Sequence, residues 1–375
     1  MGARIAAHFA NAGIPSLLLD LSKDAVMKGI ESAAKQNPVA FYTPGGKALI
    51  TPGDFEHDLP AIGDCDWVLE AVTENLDIKR DLWRRVALYQ RPDAIVSTNT
   101  SGIPLHLISE GLPTGFGRSF LGTHFFNPPR YLRLVEVIPG AETDSAVLEF
   151  VSDFCDRRLG KGVVRCKDTP NFIGNRIGSF FGSTVYRITV EDDYTVEEVD
   201  LLTGQLIGIP KSASYRLLDI VGLDVWAFVA RNLYEMVPHD PWRERFHPPP
   251  FLAEMLDRGW LGEKSGQGFY KRVGKEKEIH AIDWRTLEYH PAHKAHFASV
   301  DAARMIEDLP QRLRTLVAGE DRAGSFLWKL FSDVFIFGGN DSRNIGPGGG
   351  DRSCDALGLR AYVWAIRVVG CARLR

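Results

Sequence analysis

Two short apolar runs restrict this chain more than any other feature, because each buries one ionisable group. Residues 119–123 read as a strand that delivers His124 at its end. Residues 132–138 read as a second strand that carries Glu136 among apolar neighbours. A carboxylate inside an apolar strand is costly unless it is paired. The obvious partner is the one histidine also embedded in apolar sequence nearby. A histidine held by a carboxylate is oriented and its cation is stabilised, which suits a general base. Taken alone, the pair also fits a core histidine bonded to backbone, with Glu136 reaching a rim.

The 375 residues are enough for two or three domains with cores of their own. Hydrophobic content of 45% and charged content of 25% are those of an ordinary globular protein. A formal net charge of -4 with no basic block argues against a nucleic-acid or anionic-membrane partner. The five cysteines show no CxxC spacing and read as reduced thiols of a cytoplasmic protein. No run is apolar and long enough to insert into a membrane.

Residues 1–13 read as an amphipathic helix closed by Gly13, and residues 14–20 as a strand ending in Asp20. Helix, strand and terminal acid make the second half of a dinucleotide-binding βαβ unit. Gly2 would be the last glycine of G-x-G-x-x-G, and Asp20 lies roughly 20 residues on, where the ribose-binding acid sits. The first strand and the first two glycines of such a unit are missing. The expectation is therefore a truncated unit that binds its dinucleotide weakly and exposes the flanking strand edges.

Residues 21–63 read as polar and helical, with turn material at 43–47 and 51–54. Strands are expected at 66–72 and 94–98, with a helix at 76–89 between them. Glu74, Lys79, Asn99, Ser101 and His124 all fall just beyond strand ends, where open α/β sheets bind ligands. The fold class is α/β then all-α: a Rossmann-like doubly wound sheet over residues 1–166, then a helical domain over 167–270. Asn175 sits near the start of the first helix of that second domain.

His124-Phe-Phe-Asn-Pro128, Leu134-Val-Glu-Val-Ile138, Asn99-Thr-Ser101, the segment 166–176 and Gly262-Glu-Lys-Ser-Gly-Gln-Gly-Phe-Tyr270 occur in one order and spacing. As a set they resemble the 3-hydroxyacyl-CoA dehydrogenase family, over residues 1 to about 330. Element order and the segment 207–214 look closest to the long bacterial proteins in which a dehydrogenase precedes an enoyl-CoA hydratase domain. The resemblance implies NAD-dependent oxidation of (S)-3-hydroxyacyl-CoA in fatty-acid β-oxidation. It implies His124 as base, Glu136 as its holder, and Ser101 and Asn175 at the substrate oxygen, one from each domain. It implies that closure of the two domains is part of catalysis. It also implies Gly2, Asp20, Glu74, Lys79 and Asn99 around NAD, a homodimer through the helical domain, and a hydratase domain absent from this chain. The alternative is an impaired fragment, or a crystallin-like relative that only binds acyl-CoA. Each residue has a plainer role open to it. Ser101 would cap the helix near Leu105, Asn175 would be a surface amide, and Glu74 and Lys79 would form a solvated pair.

Residues 271–330 read as the start of a second helical repeat. From Leu330 on there is no Lys and no Glu, and residues 331–375 read as a Gly/Arg-rich tail of frameshifted character. His290, His293 and His296 read as one polar surface helix and not as a metal site.

Overall fold

The computed structural model describes residues 1–340, which divide into two compact units, the chain passing from the first to the second after Ile173. The tail from residue 341 on, with its apolar run at 361–369, lies outside the described residues.

The first unit begins with α1 (Gly2–Asn11), which turns Ile5, Ala6, Phe9 and Ala10 inward. It stops at Gly13, whose φ of 76° ends the helix as a left-handed glycine does. There follow β1 (Ser16–Asp20), α2 (Lys23–Lys35) and β2 (Ile50–Asp54). Ser22 caps α2 by accepting the Ala25 N–H. β1 and β2 pair in parallel as a sheet of their own. β2 corrects the sequence reading, which took 51–54 for turn material. Pro52 and Gly53 are tolerated because one edge of this strand makes no ladder.

The rest of the unit is a five-stranded sheet. Its elements are β3 (Trp67–Glu70), α3 (Leu76–Val86), β4 (Ile95–Thr98), α4 (Leu105–Ser109), β5 (Phe120–Phe125), β6 (Leu134–Pro139), α5 (Ser145–Arg157) and β7 (Gly162–Arg165). The strand order is β3-β4-β5-β6-β7, parallel except for the antiparallel β5–β6 pair. Side chains alternate along β5. Phe120 faces a cluster with Trp83, Phe116, Ile138 and Phe172, and Leu121 and Phe125 face one with Phe9, Val137, Val151 and Cys155. Gly122 lies opposite Ile138 in the ladder, and a Cβ there would come within 2.9 Å of the Ile138 Cδ1.

The second unit opens with α6 (Gly174–Glu191), α7 (Val196–Leu202), α8 (Tyr215–Val221), α9 (Leu223–Met236) and α10 (Pro250–Asp257). Thr195 and Glu198 close a reciprocal capping box on α7. The segment after residue 269 begins with a sheet and not with a helix. β8 (Tyr270–Val273), β9 (Glu278–Asp283) and β10 (Glu288–Pro291) form an antiparallel meander. α11 (Ala298–Ala303), α12 (Leu309–Val317) and α13 (Arg322–Asn340) follow. His290 therefore lies on a strand, with His293 and His296 in irregular chain beyond it. α13 runs along α6, with Phe337 stacked on Phe180 at a centroid distance of 4.0 Å and Arg187 bonded to Asp333 at 2.6 Å. It takes in residues 331–340, because Val334 and Phe337 continue its buried helical stripe.

Candidate active site

The β5–β6 ladder sets His124 directly opposite Glu136. Directly paired residues of an antiparallel ladder project from the same face, with their Cβ atoms about 5 Å apart. The His124 Nδ1 lies 2.7 Å from the Glu136 Oε2. An ionised carboxylate only accepts, so Nδ1–H is the donor in this contact, and Nε2 is the ring nitrogen that Glu136 does not engage. The other oxygen, Oε1, accepts the Ile173 N–H at 3.0 Å and lies 3.6 Å from the Cys166 Sγ. His124 is 4% exposed and Glu136 0%. The rings of Phe126 and Phe172 flank the imidazole at centroid distances of 4.4 and 5.9 Å. This is the arrangement expected from the sequence, with the remaining oxygen tied down as well.

A second network shapes the loop after β4. The Asn99 Oδ1 accepts the Phe125 N–H at 2.8 Å, which ties this loop to the strand end bearing His124. Glu70 accepts from the Lys79 Nζ at 2.7 Å and the Thr98 hydroxyl at 2.6 Å. The Glu74 Oε1 accepts the Thr100 hydroxyl at 2.6 Å and the N–H groups of Ser101 at 2.8 Å and Gly102 at 3.1 Å. Lys79 is fully buried and reaches the Glu74 Oε2 at 3.4 Å, so only the Glu74 end of the pair meets solvent. Burial alone would raise the Glu74 carboxyl. The Lys79 charge, the Thr100 hydroxyl and the two N–H groups outweigh it and hold the carboxyl below its ordinary value. Ser101 is presented at the surface of this loop. The cap of α4 is Asp168, whose carboxylate accepts the Leu105 N–H at 2.6 Å and the His106 N–H at 3.0 Å.

At the N-terminus, α1 starts at Gly2 and no side chain caps its first N–H groups. Such a helix end is a ready anion site. Asp20 is exposed at the carboxyl end of β1, and its Oδ1 accepts the Leu21 N–H at 2.7 Å. A helix N-terminus and a carboxylate at the next strand end fit a dinucleotide. Asn175 lies in the first turn of α6, in the second unit.

Residues 1–169 match the 3-hydroxyacyl-CoA dehydrogenase NAD binding domain, and residues 172–272 match the C-terminal domain of the same family. A probable 3-hydroxyacyl-CoA dehydrogenase of Deinococcus radiodurans is 45% identical over 284 residues, covering 74% of this chain and 81% of that protein. The chain belongs to the 3-hydroxyacyl-CoA dehydrogenase family. A Bacillus subtilis protein named probable 3-hydroxyacyl-CoA dehydrogenase is 42% identical over 90% of this chain, and the match spans 45% of its length. The crystal structure of (S)-3-hydroxybutyryl-CoA dehydrogenase from Ralstonia eutropha superposes with a TM-score of 0.60, at 28% identity over 72% of this chain and 94% of that one.

Sequence reasoning missed Glu70, Thr100 and Asp168, which build this family member's site without facing it. Glu70 carries the same signal as Glu136, a lone acid in an apolar strand. Asp168 stands inside the motif at 166–176, three residues past a strand end.

Proposed function

We propose that the chain oxidises the 3-hydroxyl of an (S)-3-hydroxyacyl-CoA to the 3-ketoacyl-CoA with NAD, as in fatty-acid β-oxidation. The carrying observation is the buried His124–Glu136 pair, in which the Nδ1 edge of the imidazole is held by the carboxylate. The His124 Nε2 takes the proton of the 3-hydroxyl. Glu136 holds the imidazole through Nδ1 and stabilises the imidazolium that results. Ser101 and Asn175 hydrogen-bond the substrate oxygen. The first N–H groups of α1 at Gly2 bind pyrophosphate, and Asp20 binds the adenosine ribose. Glu74, Lys79 and Asn99 stand toward the other ribose, Asn99 through its amide N–H groups because its oxygen is engaged. NAD, when bound, supplies the acceptor for the hydride leaving C3.

We place the protein in the cytoplasm, where thiols such as Cys65 and Cys155 stay reduced. No helix among the described residues is long and apolar enough to cross a membrane. A second copy of the chain is the proposed partner. Ile220, Val221, Val225 and Phe228 of α8 and α9 leave an apolar face exposed for it. The test is NADH formation from (S)-3-hydroxyacyl-CoA thioesters by the purified chain. Turnover with NAD, and much less with NADP, supports the reading. Binding of the thioester without turnover would reject it.

A further inference from the structure

Lys161 lies in the turn between α5 and β7 and is 1% exposed. The chemistry above does not use it. A buried ammonium is costly, so what it holds matters. Its Nζ donates to the carbonyl of Pro129 and, at 3.0 Å, to that of Leu132. Both carbonyls belong to the loop 126–133, which joins the strand of His124 to the strand of Glu136. The same Nζ lies 5.8 Å from the ring centroid of Phe125, the residue after His124. Phe126, which opens the loop, sets its ring 4.4 Å from the imidazole.

This loop is poor in donors of its own. Pro128 and Pro129 carry no N–H. The N–H groups of Tyr131 and Leu132 both go to the Pro128 carbonyl. The other side of the loop is tied by side chains. Arg4 donates to the Asn127 Oδ1 at 2.8 Å, and Arg130 to the carbonyls of Val39 and Phe41 at 2.8 and 2.9 Å. On the inner side Lys161 holds two carbonyls, and the Gly162 N–H donates to that of Arg133 at 2.7 Å.

We propose that Lys161 is a positioning residue for the base: by holding the Pro129 and Leu132 carbonyls it fixes the loop that seats Phe126 against His124 and keeps the imidazole on Glu136. The proposal rests on the reading of His124 as base. Lys161 touches neither the imidazole nor the carboxylate and acts through the loop.

The experiment compares the full chain with its Lys161→Met, Lys161→Arg, Phe126→Ala and His124→Gln variants. Each is assayed for kcat and both KM values, and by proton NMR for the low-field His124 Nδ1–H resonance. Lys161→Met should lower kcat about 10- to 10²-fold, the scale of a small misplacement of a catalytic group. The KM values should stay put and the resonance should broaden. Lys161→Arg, with N–H groups for both carbonyls, should recover most of kcat. Phe126→Ala leaves the clamp intact and should lose kcat to a similar degree, so it decides the matter if Lys161→Met does not fold. Wild-type kcat and an unchanged resonance in Lys161→Met or Phe126→Ala, with His124→Gln inactive, would overturn the role of Lys161 alone. An active His124→Gln would remove the base reading and this proposal with it.

Discussion

At the residue level the site turns on how Glu136 is held. His124 Nδ1–H and the Ile173 N–H both point at its oxygens, so both oxygens must accept. Glu136→Gln supplies one acceptor and one donor, and an N–H must then face an N–H. The imidazole loses its orientation and the stabilisation of its cation. We expect kcat to fall about 10²- to 10⁴-fold, with stability lower by about 1–3 kcal/mol for the unsatisfied group. Steady-state kinetics with urea unfolding of the same sample checks both figures. The pairing itself was legible, because a lone acid and a lone histidine in neighbouring apolar strands have few other partners. Ile173 and Cys166 were not, because only the return of the chain after β7 brings them to Oε1. Ser101 shows the same division. Its place beyond a strand end was readable, but the competing role as helix cap fell only when Asp168 was found there.

Among the elements, β5 and β6 carry the register on which the pair depends. Gly122 faces Ile138 two pairs from His124 in that ladder, and a Cβ at 122 would stand 2.9 Å from the Ile138 Cδ1 and 3.1 Å from its Cβ. Gly122→Ala should therefore strain the ladder and destabilise the first unit by about 1–3 kcal/mol, as overpacking does. Thermal unfolding followed by near-UV circular dichroism reads this, and an unchanged Tm would show that Ile138 moves aside freely. Strands with short, mostly apolar or β-branched runs, such as β4, β5 and β6, were readable from sequence. β2 was not, because Pro52 and Gly53 are turn residues everywhere except on an unpaired edge. β8 to β10 were not, because their polar hairpins leave few buried side chains and so no clear alternation.

For the molecule as a whole, the two units should answer pH in opposite senses. Burial, then the nearby Lys161 charge, pushes the His8 imidazole of the first unit down to about 4. Its contribution is present above the ordinary histidine value of about 6.5 and is lost as pH falls toward 4. Burial pushes Asp200 of the second unit up to about 7, and Asp219 up to about 6. Their contributions are present in acid and are lost as pH rises through 6 to 7. From pH 7.5 to pH 5 the first unit should lose on the order of 2 kcal/mol from His8, and the second should gain roughly twice that from Asp200 and Asp219 together. Calorimetry at the two pH values should show one transition moving down and one up, and parallel movement would contradict the assignment. The division into an α/β unit and a mainly helical one was readable from where the strand pattern stops. The length of α13 was not, because its glycine-rich end resembles the start of a tail. Whether His124 is the base is read from kcat of the His124→Gln variant. Wild-type circular dichroism and Tm are expected, with kcat for NAD-dependent oxidation of (S)-3-hydroxyacyl-CoA reduced about 10²- to 10⁴-fold. A folded His124→Gln variant with near-wild-type kcat would contradict this role.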